Sequence, residues 1–315
     1  MELAGLKSIQ CPFGVMFHHF HDNVRHPFVQ GSISASDLLE ILDILRKEGF
    51  RLLSADVFFD GIKKKCLEKT DVCLSFDDAL KCQADIALPV LESLNLRAFY
   101  FVNSRAVKHR YDPLEVFRNF RTTCFNEIDV FYEKFFVSAA KLLGKCLNDV
   151  SIEVARNGYL ESFGFYSVND RIFRYFRDKL LTSSQYESVM FSMMDSEGFK
   201  LDRCMDLWVS ADDLRVIHDA GHLIGLHSDS HPNDMAALSR EEQHSEYHRN
   251  LQFLNSVGVL GARCSMSHPF GRYSDESLSV LRELEVEVGF RSDTAKIAER
   301  TELEIPRIDH IYFMH

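Results

Sequence analysis

The sequence predicts an α/β protein built on a parallel β-sheet that is either open or closed into a barrel. Short apolar runs with strand character alternate with helical segments, and repeated strand–helix units of this size form parallel sheets. The alternation stops between about residues 105 and 200, where helical periodicity prevails and strand signals are nearly absent. We therefore predict one barrel-like domain formed by residues 1–104 and 201–315, with a helical insertion at residues 105–200.

Composition and charge exclude several classes of partner and location. The 315 residues include 46% hydrophobic side chains, which is ordinary for a soluble globular protein, and the net charge of −11 argues against nucleic-acid or anionic-membrane partners. We find no apolar run of about eighteen residues, which a spanning helix would need, and no signal-peptide pattern in the first seven residues. The eight cysteines contain no Cys-x-x-Cys pair, so reduced thiols in a cytoplasmic protein are expected.

The first part of the chain contains three predicted strands separated by two helices. Leucines at helical spacing and a glycine C-cap mark the first helix, and aromatic residues mark the third strand. The predicted elements are a strand at 11–17, a helix through Leu38, Leu42 and Leu45 to Gly49, a strand at 71–76, a helix at 84–94 and a strand at 97–102.

Two strong helices are predicted inside the insertion, and the alternation resumes after it. The aromatic stripes of the insertion helices are expected to form a helix-packing core rather than a cofactor site. Ser239 and Glu242 have the spacing of a capping box. The predicted elements are helices at 130–143 and 170–181, a helix from Ser210 to 217, a strand at 222–226, a helix from Ser239 to about 256, a strand at 263–267, a helix at 274–284, and extended segments at 286–290 and 305–308.

Polar clusters directly follow several of the predicted strands. Asp77 and Asp78 directly follow the strand at 71–76. Neighbouring carboxylates repel each other unless a positive charge lies between or beside them. His227 and His231 follow another apolar run, and one carboxylate with two histidines forms a three-ligand set suited to catalytic Zn²⁺. An isolated Asp-Asp pair could equally mark a helix start, and an isolated His-x-x-x-His pair could lie on a surface helix, although Pro232 disfavours helix there.

Two further clusters strengthen the prediction of a single site. His18 follows the first predicted strand, and Pro269 and Phe270 follow the strand at 263–267. In parallel sheets and barrels the carboxyl ends of the strands meet at one edge, where active sites lie. Four polar clusters at one edge are better evidence for a site than any single motif.

These residues resemble the motifs of the polysaccharide deacetylases, the NodB-homology carbohydrate esterases of family 4. The resemblance spans roughly residues 12–104 and 205–310. An N-terminal Met-x-His motif is typical of a permuted branch of that family. The four similar segments are Ser75-Phe76-Asp77-Asp78, His227-Ser228-x-x-His231-Pro232, Ser267-His268-Pro269-Phe270-Gly271 and Val15-Met16-Phe17-His18.

The resemblance implies a fold and a set of roles. The fold would be a distorted (β/α) barrel of the NodB-homology type, and the activity would be metal-dependent hydrolysis of an acyl group on a sugar. Asp77 would be the general base and His18 the acid that protonates the leaving amine. The metal and a backbone N–H near Phe270 would stabilise the oxyanion. The implied metal ligands are Asp78, His227 and His231.

The sequence departs from the family pattern at two positions. The family glycine after the aspartate pair is Ala79, and the third-motif arginine that orients the base is Ser267. Arg291 or Arg307 could replace that arginine from a neighbouring strand, and the sequence leaves this choice open. Three other histidines compete with His18 for the role of acid, namely His268, His310 and His315.

Two function classes follow from this pattern. The first is a cytoplasmic enzyme, with Zn²⁺ the expected metal, that removes an acetyl or formyl group from an amino sugar or nucleotide-linked sugar precursor in glycan or surface-polysaccharide synthesis. The helical insertion would then be a lid or wall that confines the substrate. The second is a catalytically silent, metal-containing sugar-binding or scaffold protein of the same fold. The retained Asp77 favours the enzyme, and the loss of the third-motif arginine favours the silent protein.

Overall fold

The computed structural model describes residues 9–161, 166–295 and 300–314. The chain divides into two compact units. Residues 1–111 and 206–315 form the first, which we call the barrel unit, and residues 112–205 form the second, the helical unit. The stretch examined for a signal peptide, together with His315, lies outside the described residues.

The barrel unit contains one parallel sheet that closes on itself. Its strands pair in the order β7-β6-β5-β4-β3-β1-β8, and β2 pairs with β3 beside this path. A parallel bridge between Phe290 and Ile305 joins β7 to the segment that enters β8, so the ring closes into the predicted distorted (β/α) barrel. The strands are β1 (Phe13–Phe17), β2 (Arg51–Leu52), β3 (Asp71–Phe76), β4 (Phe99–Val102), β5 (Leu223–Leu226), β6 (Ser265–Ser267), β7 (Val288–Phe290) and β8 (Arg307–Asp309).

Twelve α-helices occur in the described residues, and none of those helices is long and apolar enough to cross a membrane. The predicted capping box is confirmed, because the Ser239 hydroxyl accepts from the Glu242 N–H and the Glu242 carboxylate accepts from the Ser239 N–H. The helices are α1 (Ala35–Lys47), α2 (Ala55–Lys64), α3 (Leu88–Ser93), α4 (Ser104–His109), α5 (Pro113–Thr123), α6 (Ile128–Leu143), α7 (Leu147–Arg156), α8 (Val168–Tyr175), α9 (Ser183–Ser196), α10 (Ala211–Asp219), α11 (Arg240–Val257) and α12 (Asp275–Glu283).

The sequence prediction missed β2 and α2. β2 has only two residues and is partly exposed, so it shows neither length nor hydrophobic alternation. α2 contains Gly61 in its interior, and glycine lowers helix propensity by about 1 kcal/mol relative to alanine. Packing of its buried Phe58 and Phe59 in the hydrophobic core stabilises the helix despite this local cost.

The regular elements of the helical unit are helices throughout its described residues. They are α5 to α9, a π-helical segment at Phe176–Leu180 that continues α8, and a 3₁₀ turn at Leu201–Cys204. The aromatic side chains of α6 and α8 pack these helices together, as the sequence predicted. Phe131, Phe135 and Phe173 are buried, and the rings of Phe135 and Phe173 lie edge to face with centroids 4.8 Å apart.

Aromatic rings fill the barrel core and restrict the neighbouring backbone. Phe99, Phe101 and Phe290 are fully buried, and the Phe101 and Phe290 ring centroids are 5.4 Å apart. β5 passes this cluster at Gly225, where an added Cβ would lie 2.7 Å from Phe101 ring atoms and 2.7 Å from the Ser265 carbonyl oxygen. Gly225 therefore lets β5 approach both the ring and β6.

We expect Gly225→Ala to lower the free energy of unfolding by about 1–3 kcal/mol, because the new methyl group must displace a packed ring and a backbone carbonyl. Denaturant unfolding of the full chain measures this loss. Gly261→Ala is the matched control, since a Cβ there meets no atom of the structure within 4 Å. Equal stability of the two variants would contradict the close packing around Gly225.

Parallel strands carry the predicted polar clusters to one end of the barrel. His18 follows β1, Asp77 and Asp78 follow β3, and His227 follows β5. The segment from Pro269 to Gly271, a short 3₁₀ turn, follows β6. Because all strand pairings of the sheet are parallel, these residues gather at the carboxyl edge, as the sequence predicted.

Candidate active site

Asp78, His227 and His231 point polar atoms at a common point. The Asp78 Oδ1 lies 3.4 Å from the His227 Nε2 and 3.5 Å from the His231 Nε2, and the two Nε2 atoms are 3.1 Å apart. All three side chains are at most 10% exposed. The three residues therefore form a buried cluster of one carboxylate and two imidazoles.

This cluster fits a divalent metal ion. Ligand atoms held tetrahedrally about 2.0–2.1 Å from Zn²⁺ are separated by about 3.3 Å, and the observed separations run from 3.1 to 3.5 Å. The His227 Nδ1 bonds to the Ser267 carbonyl oxygen at 2.8 Å. A carbonyl only accepts, so Nδ1 carries the hydrogen, and a neutral ring leaves the Nε2 lone pair free for a metal.

Electrostatics at the cluster favour a cation. Burial lowers the pKa of His231 to about 4, so its ring is neutral near pH 7, which is the metal-binding form. Burial opposes ionisation of Asp78, yet the two histidines hold the pKa of its carboxyl well below the usual value. Burial also opposes charge on His227, but the carboxylates of Asp77 and Asp78 raise its pKa. An ionised Asp78 and a neutral His231 are thus in the protonation states in which they could bind a cation.

Asp77, the neighbour of Asp78, binds a buried arginine instead. Arg307 on β8 donates to both carboxylate oxygens of Asp77, with Nη1 to Oδ1 at 2.8 Å and Nη2 to Oδ2 at 2.7 Å. The guanidinium also donates to Ser75, Ser267 and the Arg291 carbonyl oxygen. All five N–H groups of this side chain, which is 1% exposed, therefore have acceptors.

Of the two arginines that the sequence left open, Arg307 is the one that contacts Asp77. Arg291 cannot serve, because it bonds to Asp293 and to the Ala295 carbonyl oxygen. Ser267 is small enough to admit the Arg307 guanidinium and places its own hydroxyl 3.1 Å from Asp77. Gly14 on the adjacent β1 also leaves space for the Arg307 side chain, since a Cβ added at Gly14 would lie 3.1 Å from the Arg307 Cγ.

The arginine determines the charge of Asp77. Burial alone would raise the pKa of this carboxyl, but Arg307 holds the pKa below its usual value. Asp77 is therefore a carboxylate at neutral pH. Its Oδ2 lies 3.9 Å from the His227 Nε2, next to the candidate metal cluster.

A strained turn begins at Asp78, directly after Asp77. Asp78 has φ 75° and Ala79 has φ 54°, a left-handed conformation that is unusual outside glycine. The turn is held by an antiparallel bridge between Leu80 and Trp208 and by the Val209 N–H, which donates to the Ala79 carbonyl at 2.9 Å. Ala79 thus adopts a left-handed conformation that glycine, the residue of the family motif, would adopt without steric cost.

The loop from His227 to His231 is also strained, and several hydrogen bonds fix it. Ser228 has φ 62° and His231 has φ 53°, and the Ser228 hydroxyl accepts from the His231 N–H at 3.0 Å. Glu246 accepts from the backbone N–H groups of residues 229 and 230. Asp229 is directed elsewhere, since its carboxylate bonds to Ser104 and Lys108.

Phe270 lies beside the cluster. Its ring centroid is 4.7 Å from that of His231, and the residue is 42% exposed. Phe270 has φ 52° and is the second residue of a three-residue turn, so its N–H is one of those that such a turn leaves without an acceptor of its own.

His18 lies in the electrostatic field of the cluster. It is close enough to contribute to the lowered pKa values of Asp77, Asp78 and His231. The buried amide of Gln83 fixes the backbone there, because its Nε2 donates to the His18 carbonyl at 2.9 Å and to the Asp77 carbonyl at 2.6 Å. The sequence analysis missed Gln83, and no motif signals it.

Two of the three competing histidines, His268 and His310, are bonded to backbone carbonyls, and the third, His315, lies outside the described residues. His268 bonds through Nε2 to the Leu303 carbonyl at 2.8 Å and stacks on Tyr273. Both ring nitrogens of His310 face carbonyls, those of Met16 and Gly31. Among these three described histidines, the contacts leave His18 as the better candidate for proton donation into the site.

We expect Arg307→Met to lower the free energy of unfolding at pH 7 by about 3–5 kcal/mol, because it leaves the buried Asp77 carboxylate without its counter-charge. Since the folded pKa of Asp77 is lowered, the contribution of the pair is fully present above about pH 4 and is lost as pH falls through the lowered pKa. The stability difference between wild type and variant should therefore shrink on acidification. Denaturant titrations at several pH values measure it.

The double variant Arg307→Met/Asp77→Asn is the control for this prediction. Removing the charge of Asp77 as well should restore part of the lost stability, because neither group of the pair then remains buried and unpaired. Additive losses in the two single variants and the double variant would show that the pair is not coupled.

Part of the chain matches one protein-family model. Residues 181–289 match the family model described as polysaccharide deacetylase, a stretch that contains His227, His231 and Phe270 but not the Asp77–Asp78 pair. No curated protein matches the sequence.

Solved structures of deacetylases share the fold. They include PplD from Streptococcus pyogenes in complex with acetate (14% identity, TM-score 0.54, 96% of this chain and 92% of that chain covered), IcaB from Ammonifex degensii (15%, 0.56, 95% and 91%) and a de-N-acetylase from Aggregatibacter actinomycetemcomitans (14%, 0.52, 95% and 95%). At these identities the likeness establishes the fold alone. The family match and the common barrel confirm the resemblance to the polysaccharide deacetylases that the sequence motifs predicted.

Proposed function

We propose that the protein is a metal-dependent N-deacylase that removes an acetyl or formyl group from an amino sugar, free or nucleotide-linked. The observation that carries the proposal is the ionised Asp77 beside the cluster of Asp78, His227 and His231. A protein that only bound sugar through a metal would have no use for a second buried carboxylate held by its own arginine. The catalytically silent alternative therefore has no feature of the site in its favour.

Asp78, His227 and His231 would hold the metal, with Zn²⁺ the expected ion. When bound, the ion would lower the pKa of water and polarise the acyl carbonyl group.

The remaining roles belong to residues of this chain. Asp77 accepts a proton from the water that attacks the acyl carbon, and Arg307 keeps this base ionised and oriented. The N–H of Phe270 donates to the oxygen that becomes negative. His18 donates a proton to the sugar nitrogen as the carbon–nitrogen bond breaks. A carboxylic acid and a free amine leave.

The comparisons support an acetyl group and a sugar substrate. One similar structure contains acetate and another is described as a de-N-acetylase. A role in glycan or surface-polysaccharide synthesis, a cytoplasmic location, and the helical unit as a lid or substrate wall all stay predictions from the sequence.

We expect the protein to release one carboxylic acid from a panel of N-acetyl and N-formyl amino sugars, free and nucleotide-linked. Chelator should abolish the release and added Zn²⁺ should restore it, because the ligand set fits a divalent ion. Quantifying acetate and formate separately identifies the acyl group. Absence of both acids from all substrates, with metal bound, would instead favour the silent sugar-binding protein.

We expect Asp77→Asn to lower kcat by about 10²–10⁴-fold while metal content stays near one ion per chain, since Asp77 would act as the base and lies outside the ligand set. His231→Gln should lower metal content and activity together. Metal analysis and steady-state kinetics on the same preparations separate the two effects. An Asp77→Asn variant with wild-type kcat would remove Asp77 from the mechanism.

A further inference from the structure

One side chain of α11 holds the loop that separates the two candidate histidine ligands. The Glu246 carboxylate accepts from the backbone N–H of Ser230 at 2.8 Å and from the Ser230 hydroxyl at 2.8 Å. It also accepts from the N–H of Asp229 at 3.1 Å, and the Glu246 backbone carbonyl lies equally close to that N–H. Both residues lie between His227 and His231 in the chain. A single glutamate therefore binds two consecutive residues of this loop.

The remaining backbone groups of the loop have other partners. The first two N–H groups of α4 donate to the carbonyls of Ser228 and Asp229, at 3.3 and 2.8 Å. The N–H of His231 donates to the Ser228 hydroxyl at 3.0 Å. The N–H of Ser230 has the Glu246 carboxylate as its acceptor in the described part of the chain. Removing this carboxylate would leave a donor of the loop unpaired.

The loop needs such bonds because its backbone is strained at both ends. Ser228 and His231 both have positive φ, and residues in this conformation persist only where surrounding contacts fix them. Without the Glu246 carboxylate, the loop would relax toward more common backbone conformations. The His231 ring would then move with it, away from the position in which its Nε2 lies 3.1 Å from that of His227.

His227 is held independently of this loop. Its backbone N–H donates to the Asn250 amide oxygen at 2.9 Å, and its ring bonds through Nδ1 to the Ser267 carbonyl at 2.8 Å. His231 lies at the far end of the loop, beyond the residues that Glu246 binds. The loss of Glu246 should therefore displace one ligand and leave the other in place.

We propose that Glu246 is a positioning residue for metal binding, whose hydrogen bonds hold His231 in line with His227 and Asp78. This inference deepens the proposed function and rests on its metal site. Groups that orient metal ligands typically change metal affinity by about 10–100-fold when they are removed. Since Glu246 acts as a hydrogen-bond acceptor, a neutral side chain with an acceptor in the same place should replace it.

Two conservative substitutions separate the hydrogen bonds of Glu246 from its charge. Glu246→Gln removes the charge, but its amide oxygen can accept from both N–H groups, which share one carboxylate oxygen, and its amide N–H can donate to the Ser230 hydroxyl. Glu246→Asp keeps the charge and is one methylene group too short to reach the loop. Glu246→Leu removes both the charge and the bonds.

The Kd for Zn²⁺, measured on the full chain by competition with a chelating dye and without substrate, tests the proposal. We expect Glu246→Asp and Glu246→Leu to weaken Zn²⁺ binding by about 10–100-fold, and Glu246→Gln to stay within about threefold of the wild type. The visible absorption of bound Co²⁺ depends on coordination geometry and should change in the same two variants. If Glu246→Leu fails to fold, Glu246→Asp and Glu246→Gln still give the comparison.

Gln243→Met is the matched control for a loss of stability alone. Gln243 is a buried polar residue of the same helix, and it donates to the Leu238 carbonyl at 2.8 Å and accepts from the Ser277 hydroxyl. Neither partner belongs to the loop. This variant should unfold at a lower temperature than the wild type and keep the wild-type Kd for Zn²⁺.

Two results would overturn the proposal. Wild-type Kd values in Glu246→Asp and Glu246→Leu would show that the loop needs no support from this side chain. A Kd in Glu246→Gln as weak as that in Glu246→Leu would assign the effect to charge. Failure of the wild type to bind Zn²⁺ would remove the proposed metal site together with this inference, whereas Zn²⁺ binding that depends on Glu246 without acyl release would refute the proposed hydrolysis alone.

Discussion

The two-pronged contact between Arg307 and Asp77 constrains the whole carboxyl edge of the barrel. A carboxylate and a guanidinium buried together are tolerated only if their hydrogen bonds are complete, because desolvation would otherwise exceed their attraction. The five donors of Arg307 meet this condition through both oxygens of Asp77 and through three further acceptors, which are Ser75 on β3, Ser267 on β6 and the carbonyl of Arg291 after β7. Arg307 is on β8, which pairs with β1 next to β3, so this arrangement of strands brings it to Asp77. Its bonds to Ser267 and to the Arg291 carbonyl oxygen connect the pair across the barrel to β6 and to the end of β7.

Backbone strain is concentrated at the same edge. Of the eleven non-glycine residues with positive φ in the described chain, five lie in the loops of the candidate site, and they are Asp78, Ala79, Ser228, His231 and Phe270. Each such residue costs of order 1–3 kcal/mol and persists only where surrounding contacts fix it. Turns that only connected strands to helices could use glycine or asparagine at lower cost. The strain therefore indicates that side-chain direction, rather than chain reversal, determines these loops.

The sequence predicted this edge better than it predicted the contacts within it. Asp78, His227 and His231 could be grouped because each follows a strand and parallel strands end together. The choice between Arg291 and Arg307 could not be made, because it depends on which strand faces Asp77 once the barrel closes. Gln83 was missed because its amide donates to backbone carbonyls, and every residue has a carbonyl, so no residue pattern in the sequence indicates these bonds. β2 and α2 were missed because tertiary packing overrides weak local preference there.

The turn at Asp78 explains how two adjacent aspartates can serve different purposes. Side by side in one environment, they would share a raised pKa and one would be protonated. The positive φ at Asp78 turns its carboxylate toward two imidazoles, while Asp77 faces Arg307, so each has its own counter-charge. Burial that keeps His231 neutral thus coexists with an ionised Asp77 a few ångströms away. The proposed hydrolysis near pH 7 needs an ionised base beside an imidazole that is free to bind metal, and this separation of environments is the physical basis of the proposed activity.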